Sequence, residues 1–386
     1  EIFAALREAY IAGAESKDII YENVESWALA ADGENNIIFN NREGELLVAP
    51  LQTTGLKLPV INKGGTLRLS GAPGAILQVA AFAGKYDDDR LFCGAVDGNL
   101  FYWQKNKWEK RNLPAKYNSK ILAMVFSKNK NALFYSVKNT IYIYRLTADQ
   151  MPEPIISADE HDYILAMVLI EEPGTGASFL IAGDENGNIY RVDISGDIKK
   201  NSAKKLNTAL NSKGAGFHAL AYEPGRKLLA LADSRGGIHL FPGIDAKTPA
   251  AGNPIPYYTF ERTLKGIVNV LAFSPGGKYL ASGGLGGSIM LWDLNRETAA
   301  NIAKQAPALT ITGKQKILSL VFDPKEEYIV FNDELSLRIC PTRPGVFFQL
   351  LCRGKNKGLS PQEWKHYIGE SIKQEDIAIC SHLEEK

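Results

Sequence analysis

Apolar residues in this chain come in short runs, seldom longer than roughly eight, and the runs are broken by Gly, Pro, Asn and Asp. They are rich in Ile, Val, Leu, Phe and Tyr, the residues that suit a pleated, half-buried surface. "NIYRV" (188–192) and "SIMLW" (288–292) alternate apolar and polar positions, the two-residue period of a strand with one buried face. The pattern predicts many short strands joined by tight turns.

The stretch "LAFSPGGKYLASGGLGGSIMLWD", Leu271 to Asp293, shows that these strands are organised into copies. "LAYEPGRKLLALADSRGGIHLFP" from Leu220 and "LVFDPKEEYIVFNDELSLRIC" from Leu320 share its frame. In each, a strand ends in an aromatic (Tyr222, Phe273, Phe322), the chain turns at a proline (Pro224, Pro275, Pro324), and two more strands follow. The aromatics are 51 and 49 positions apart. The frame continues upstream at Ile164, Ile121, Ile76 and, most loosely, Glu25, which makes seven units. A repeat of this length signals a solenoid or a propeller.

Asp97-Gly98, Asn186-Gly187, Gly236-Gly237 and Gly286-Gly287 fill the turn between the second and third strands. These residues accept positive φ in tight hairpins. A more polar fourth strand is predicted in "KWEKRNL", "EPIISA", "KKLNTAL", "PYYTFERTL" and "APALTIT", as suits an outer edge. The seventh unit lacks one, because Pro341 and Pro344 follow its third strand. "DIIYEN", Asp18 to Asn23, is the expected substitute: it would pair with the last unit and close the ring. The glycine-rich stretch is therefore read as turns. A phosphate loop needs a helix after it, and no Ser or Thr follows Lys278.

These residues resemble a repeat of the WD-repeat β-propeller family, and Trp292-Asp293 matches its terminal dipeptide. The resemblance runs from about Asp18 to Arg343 and is densest in the sixth unit; Val192-Asp193 is a degenerate echo in the fourth. The family's Gly-His pair is absent, and with it most of the Asp-His-Ser/Thr-Trp hydrogen-bond network. Asp97, Asp184 and Asp233 stand near that network's turn position without the His partner, so cohesion between units is expected to rest on apolar packing. The resemblance implies an all-β, seven-bladed β-propeller closed by an N-terminal strand, with short N- and C-terminal helices. The expected division is 1–17 helix or linker, 18–345 propeller, and 346–386 helical tail packed on it.

Composition narrows the function. The 386 residues include 44 Lys plus Arg against 43 Asp plus Glu, so no bulk charge draws the chain to nucleic acid or an anionic membrane. No apolar run approaches the roughly 18 residues that span a bilayer. Cys93, Cys340, Cys352 and Cys380 are scattered without a CxxC spacing, which favours a reducing, cytoplasmic setting. "EIFAALREAY" has neither Met nor a signal-peptide pattern. It is read as the cut edge of a longer protein or a processed terminus.

In that opening stretch, Ile2, Phe3, Leu6 and Tyr10 fall at helical spacing, either as a helix docked on the rim or as the tail of an upstream helical domain. In "GLSPQEWKHYIGE", Ser360 as N-cap, Pro361 and Glu363 predict a helix that brings Trp364, Tyr367 and Ile368 onto one face. Both flanks resemble those around propellers of bacterial multidomain signalling proteins of the STAND-ATPase type. That likeness implies an ATPase or effector module upstream of Glu1.

Catalytic chemistry finds little support. No Ser or Cys has a nucleophile elbow around it. Asp87 to Asp89 lack the spaced acids of a calcium loop, and Cys380 with His382 lack a second ligand pair. His239 is expected packed in or at the edge of a strand, and His218 near the ring face. The expectation is a protein–protein interaction module, a scaffold or sensor domain of a larger bacterial signalling protein, with no catalytic activity, cofactor or metal. It is expected to be monomeric as an isolated domain. In the resembling family partners dock on the face built by the second-to-third hairpins and the connections into the first strands. Carried over by position, this gives Arg42, Glu43, Lys138, Glu185, Arg235, Leu285 and Glu334 from hairpins, and Tyr117, His161, Tyr163, Lys265 and Gln315 from connections. The rivals are a propeller enzyme, a small-molecule or metal binder using the central channel, or an extracytoplasmic scaffold.

Overall fold

The computed structural model describes residues 19–22, 30–31, 36–41, 46–52, 60–61, 67–68, 77–82, 91–95, 97–104, 107–111, 119–146, 151–158, 162–172, 176–196, 198, 203–206, 214–245, 257–260, 264–294, 298–304, 306–312 and 315–342. Both flanking helices expected from the sequence lie outside these residues.

The described strands form seven antiparallel sheets. In chain order, the third holds Ile121–Ser127, Ala132–Val137, Thr140–Arg145 and Glu153–Ser157. The fourth holds Ile164–Glu171, Ser178–Asp184, Ile189–Asp193 and Ala203–Lys205. The fifth holds Phe217–Glu223, Leu228–Asp233, Ile238–Phe241 and Tyr258–Thr259, and the sixth holds Val268–Phe273, Tyr279–Gly284, Ser288–Asp293 and Leu309–Thr312. The second is built likewise from Leu77–Phe82, Leu91–Ala95, Leu100–Gln104 and Lys107–Arg111. In the first sheet, two short pieces, Val60–Ile61 and Leu67–Arg68, share the outer edge of Leu46–Gln52. This departs from the single fourth strand of the other copies.

The seventh sheet is made of Ser319–Phe322, Tyr328–Asn332 and Ser336–Pro341, and its outer strand is Ile19–Glu22. Tyr21 is registered with Leu337 and Glu22 with Ser336. The pairing expected for "DIIYEN" is thus present.

Consecutive sheets pack face on face. Phe134, Ile143, Leu180 and Val192 join the third to the fourth; Phe179, Phe217 and Phe241 join the fourth to the fifth. Ala230, Phe260, Leu271 and Trp292 join the fifth to the sixth; Leu291, Ile317 and Phe331 join the sixth to the seventh. The second strands of the third to sixth sheets are therefore covered on both sides. That is why Ala132–Val137, Leu228–Asp233 and Tyr279–Gly284 are buried throughout and read as unbroken apolar or small-residue runs. First strands lie beside one another in chain order, and Ala30–Ala31 lies beside both Ser319–Phe322 and Leu77–Phe82.

"GGLGG" is not wholly a turn. Gly283 and Gly284 end the second strand, and only Leu285 to Gly287 reverse the chain. A Cβ on Gly283 would lie 2.5 Å from Ile317 Cγ2, so a glycine is needed for the seventh sheet to approach. The true turn glycine is Gly287, at φ 77°. Its N–H donates to the Gly284 carbonyl, giving a three-residue loop with a left-handed last residue.

A six-residue helix, α1 (Ala299–Lys304), leads into the outer strand of the sixth sheet. The strand reading of the sequence missed it, because six residues are too few to show a helical period. Thr298 caps it through Oγ1, and Ile302 joins the cluster around Trp292.

Candidate functional site

The second-to-third hairpins and the segments entering the first strands meet on one side of the sheets. Backbone bonds stitch them together. The Ile164 N–H donates to the Lys138 carbonyl at 2.9 Å, and Glu185 N–H to Tyr163 O at 2.9 Å. Leu285 N–H donates to Ile267 O at 2.9 Å and Ile317 N–H to Gly284 O at 3.0 Å. Gly216 fits directly over the backbone of Glu185, where a Cβ would come within 2.7 Å. Among the described residues, main-chain bonds thus join the third sheet to the fourth, the fourth to the fifth through Gly214 N–H and Asn186 O, and the sixth to the seventh.

Lys138, Tyr163, Glu185, Arg235, Lys265, Leu285, Gln315 and Glu334 all belong to these hairpins and entries. Arg42, Glu43, Tyr117 and His161 lie outside the described residues. Lys138, Arg235 and Lys265 are exposed, and Tyr163 has 40% of its surface in water. Glu185 is half-buried, and its Oε1 accepts the Tyr163 N–H at 3.0 Å. Glu334 is paired with Lys316 at 3.0 Å. Two exposed neighbours were missed by reading only the turn centres: Lys316, beside Gln315, and Leu335, which is 46% exposed beside Glu334.

His218 begins its strand on this side, at a β-bulge between Phe217 and Ala219. Equivalent bulges mark the second, third, fourth and sixth sheets, after Leu77, Ile121, Ile164 and Val268. A bulge re-aims one side chain per strand; in the third to sixth sheets those residues are Leu122, Leu165, His218 and Asn269. Burial lowers the His218 pKa below its ordinary value, against the pull of Glu185.

The hairpins carry an aspartate network of their own. Asp233 Oδ1 accepts the N–H of Arg235 and of Gly237, each at 2.8 Å. Its Oδ2 meets His239 Nε2 at 3.0 Å, and His239 Nδ1 meets Thr259 Oγ1 at 2.9 Å. A carboxylate only accepts, so Nε2 carries the hydrogen. Burial alone would raise the Asp233 pKa, but the bonds from His239, Gly237 and Arg235 outweigh it and hold the pKa below the usual carboxylate range. In the fourth sheet Asp184 accepts Asn186 N–H and Asn188 N–H on Oδ1, and Tyr190 OH on Oδ2 at 3.2 Å. In the seventh, Asp333 takes Ser336 N–H and Arg338 Nε–H. The aspartate's partner thus comes from the third strand of its own sheet. It sits six residues beyond the aspartate in the fourth and fifth sheets, as Tyr190 and His239.

The sixth sheet has no such aspartate. By register, Gly284 and Met290 stand there instead of a polar pair, and the Ser282 hydroxyl and Trp292 Nε1–H are buried with no hydrogen-bond partner among the described residues. Trp292 instead packs on Phe260, ring centres 4.4 Å apart.

Among the described residues, no group of three or more His, Cys, Asp or Glu is placed to hold a metal ion. Nor is any helix there long and apolar enough to cross a membrane. Cys93 and Cys340 are buried, and burial pushes the Cys93 thiol pKa up, so it stays protonated. No curated protein matches the sequence. Residues 256–293, which comprise the outer strand of the fifth sheet and the first three strands of the sixth, match the WD domain, G-beta repeat family, whose repeats generally mediate protein–protein interaction or scaffolding.

Proposed function

We propose that residues 18–345 form a closed seven-bladed β-propeller that recognises other proteins, and that it serves as the scaffold or sensing domain of a larger bacterial signalling protein. It works by binding, without catalysis of its own. Closure is supported by the cycle of neighbouring first strands and by the pairing of Ile19–Glu22 with Ser336–Pro341. The single observation that carries the function is the surface on the hairpin side. Large apolar side chains, Tyr163 and Leu335, stand exposed there among lysines and an arginine, on loops that backbone hydrogen bonds tie to the sheets. Such a surface costs little ordering on binding, and aromatic and Arg side chains are the usual energetic anchors of an interface. Its members are Lys138, Tyr163, Glu185, Arg235, Lys265, Leu285, Gln315 and Glu334, with Arg42, Glu43, Tyr117 and His161 assigned to it by repeat position.

Site-specific photo-crosslinking in the full-length protein, in cells of its source, tests this. A benzophenone amino acid at Tyr163, Lys265 or Glu334 is expected to give discrete protein adducts. The same group at Lys128 or Lys325, on the first-to-second turns at the other side, is expected to give none. Adducts from Lys128 and Lys325 alone would move the docking surface to that side and end the proposal.

A further inference from the structure

We infer that Thr259 is a site of covalent acylation: its hydroxyl, served by His239 and Asp233, is a nucleophile that takes the acyl group of an activated ester or thioester. The inference goes beyond the binding role proposed above and adds a modification, one acyl group per chain.

The geometry is that of a nucleophile, a base and a group that orients the base. Thr259 is exposed on the outer strand of the fifth sheet, where a donor can reach it. In the antiparallel register it stands opposite His239. Its Oγ1 is 2.9 Å from His239 Nδ1, and His239 Nε2 is 3.0 Å from Asp233 Oδ2. Asp233 takes the Nε2 hydrogen, so the neutral ring keeps a lone pair on Nδ1, and the Thr259 hydroxyl donates to it. His239 and Asp233 are 5% and 7% exposed, so the nucleophile alone faces water. The ring is also held in place. Arg235 and Gly237 N–H fix the Asp233 carboxylate, and Tyr257 lies edge-on to the imidazole, ring centres 6.1 Å apart. Gly237 comes so near that a Cβ there would lie 3.1 Å from Nε2.

The other sheets show that holding the aspartate does not require a base. Tyr190 meets it in the fourth sheet and Arg338 in the seventh. A phenol or a guanidinium anchors a carboxylate, but neither has a nitrogen lone pair to take a proton. Among the described residues, only the fifth sheet runs from the aspartate through an imidazole to a hydroxyl at the surface.

The step balances within these atoms. Oγ1 attacks the acyl carbon and forms the new C–O bond. The bond from that carbon to the leaving oxygen or sulfur breaks, and its electron pair departs with the leaving group. The Oγ1 proton passes to Nδ1, the imidazolium so formed rests against Asp233, and the proton then goes to the leaving group or to solvent.

The test is to treat the purified chain with p-nitrophenyl acetate and map the adducts by peptide mass spectrometry. Expected is an acetyl ester on Thr259, which hydroxylamine removes while acetyl-lysine amides survive. Thr259→Val should carry no ester there, and Thr259→Ser should keep one. His239→Gln should slow acylation at position 259 by about 10²–10⁴-fold, the usual contribution of a general base, with lysine acetylation unchanged as the internal control. Thermal melts show that each variant is folded; should His239→Gln fail to fold, the wild-type and Thr259→Ser arms still decide. Absence of an ester at position 259 in both of those proteins would overturn the inference. So would an ester that forms equally fast in His239→Gln, because an exposed hydroxyl would then be reacting unaided. Neither result bears on the docking face, which the crosslinking from Tyr163 tests separately.

Discussion

Ser282→Ala should stabilise this protein. The serine is fully buried in the second strand of the sixth sheet, and its hydroxyl has no partner among the described residues. A buried polar group left unpaired costs about 1–3 kcal/mol in desolvation. Deleting one oxygen forfeits only a few dispersion contacts, worth about 0.1–0.2 kcal/mol each. The balance is a gain of about 1 kcal/mol. Ser136→Ala is the matched opposite. The Ser136 hydroxyl is equally buried, but it donates to Ile164 O at 3.0 Å and accepts Ala123 N–H at 3.1 Å. Its removal orphans a backbone amide and a carbonyl and should cost about 1–3 kcal/mol. Urea unfolding of the three proteins side by side is the assay, because a 1 kcal/mol change moves the Tm of a chain this large by only about 2 °C or less. Equal m-values are required before the midpoints are compared. If Ser282→Ala lowers the midpoint as Ser136→Ala does, the hydroxyl is satisfied, by an internal water or by Trp292, and the reasoning fails.

Three further outcomes follow from the geometry. Asp233→Asn removes the charge that His239 and two N–H groups hold and should cost about 1–3 kcal/mol at neutral pH. Because the folded pKa of Asp233 is depressed, its contribution is present above the unfolded pKa and fades as pH falls through the folded one, so wild type and variant should converge in urea midpoints at acid pH. His218 has its folded pKa lowered, so the unfolded chain takes up the proton first; stability should fall as pH drops below the ordinary His value of 6.5, and His218→Gln should flatten that slope. Gly283→Val puts side-chain atoms onto Ile317 and should destabilise by about 1–3 kcal/mol from overpacking, with Ile317→Ala partly rescuing it in a double-mutant cycle.

The strands could be read because a second strand buried on both sides must be apolar along its length, as "LLALA" (228–232) is, and because left-handed turns need residues such as Gly187. The strand Ile19–Glu22 was deducible from what the seventh unit lacked. The turns that dispense with glycine were harder: Lys138 and Glu334 hold φ of 52° and 74° with ordinary side chains. The aspartate network was half visible. Asp184 and Asp233 stood out, but Tyr190 and His239 looked like ordinary strand residues, and only the register placed them beside the carboxylates. For the face, loop position could name Tyr163 and Lys265 but could not tell an exposed side chain from an engaged one. Glu185, spent on the Tyr163 N–H, and Leu335, standing in water, were indistinguishable until the backbone was in place.

The borrowed strand also dictates a timetable for synthesis. Glu22 is registered with Ser336, 314 positions later. At roughly 5–20 residues per second, the ribosome delivers that partner about 15–60 s after the strand emerges. Throughout that interval Ile19–Glu22 lacks its native partner, and the growing chain carries an unsatisfied β-edge. Cells that make this protein must therefore shield that edge during translation, or accept that nascent copies trade this strand with one another.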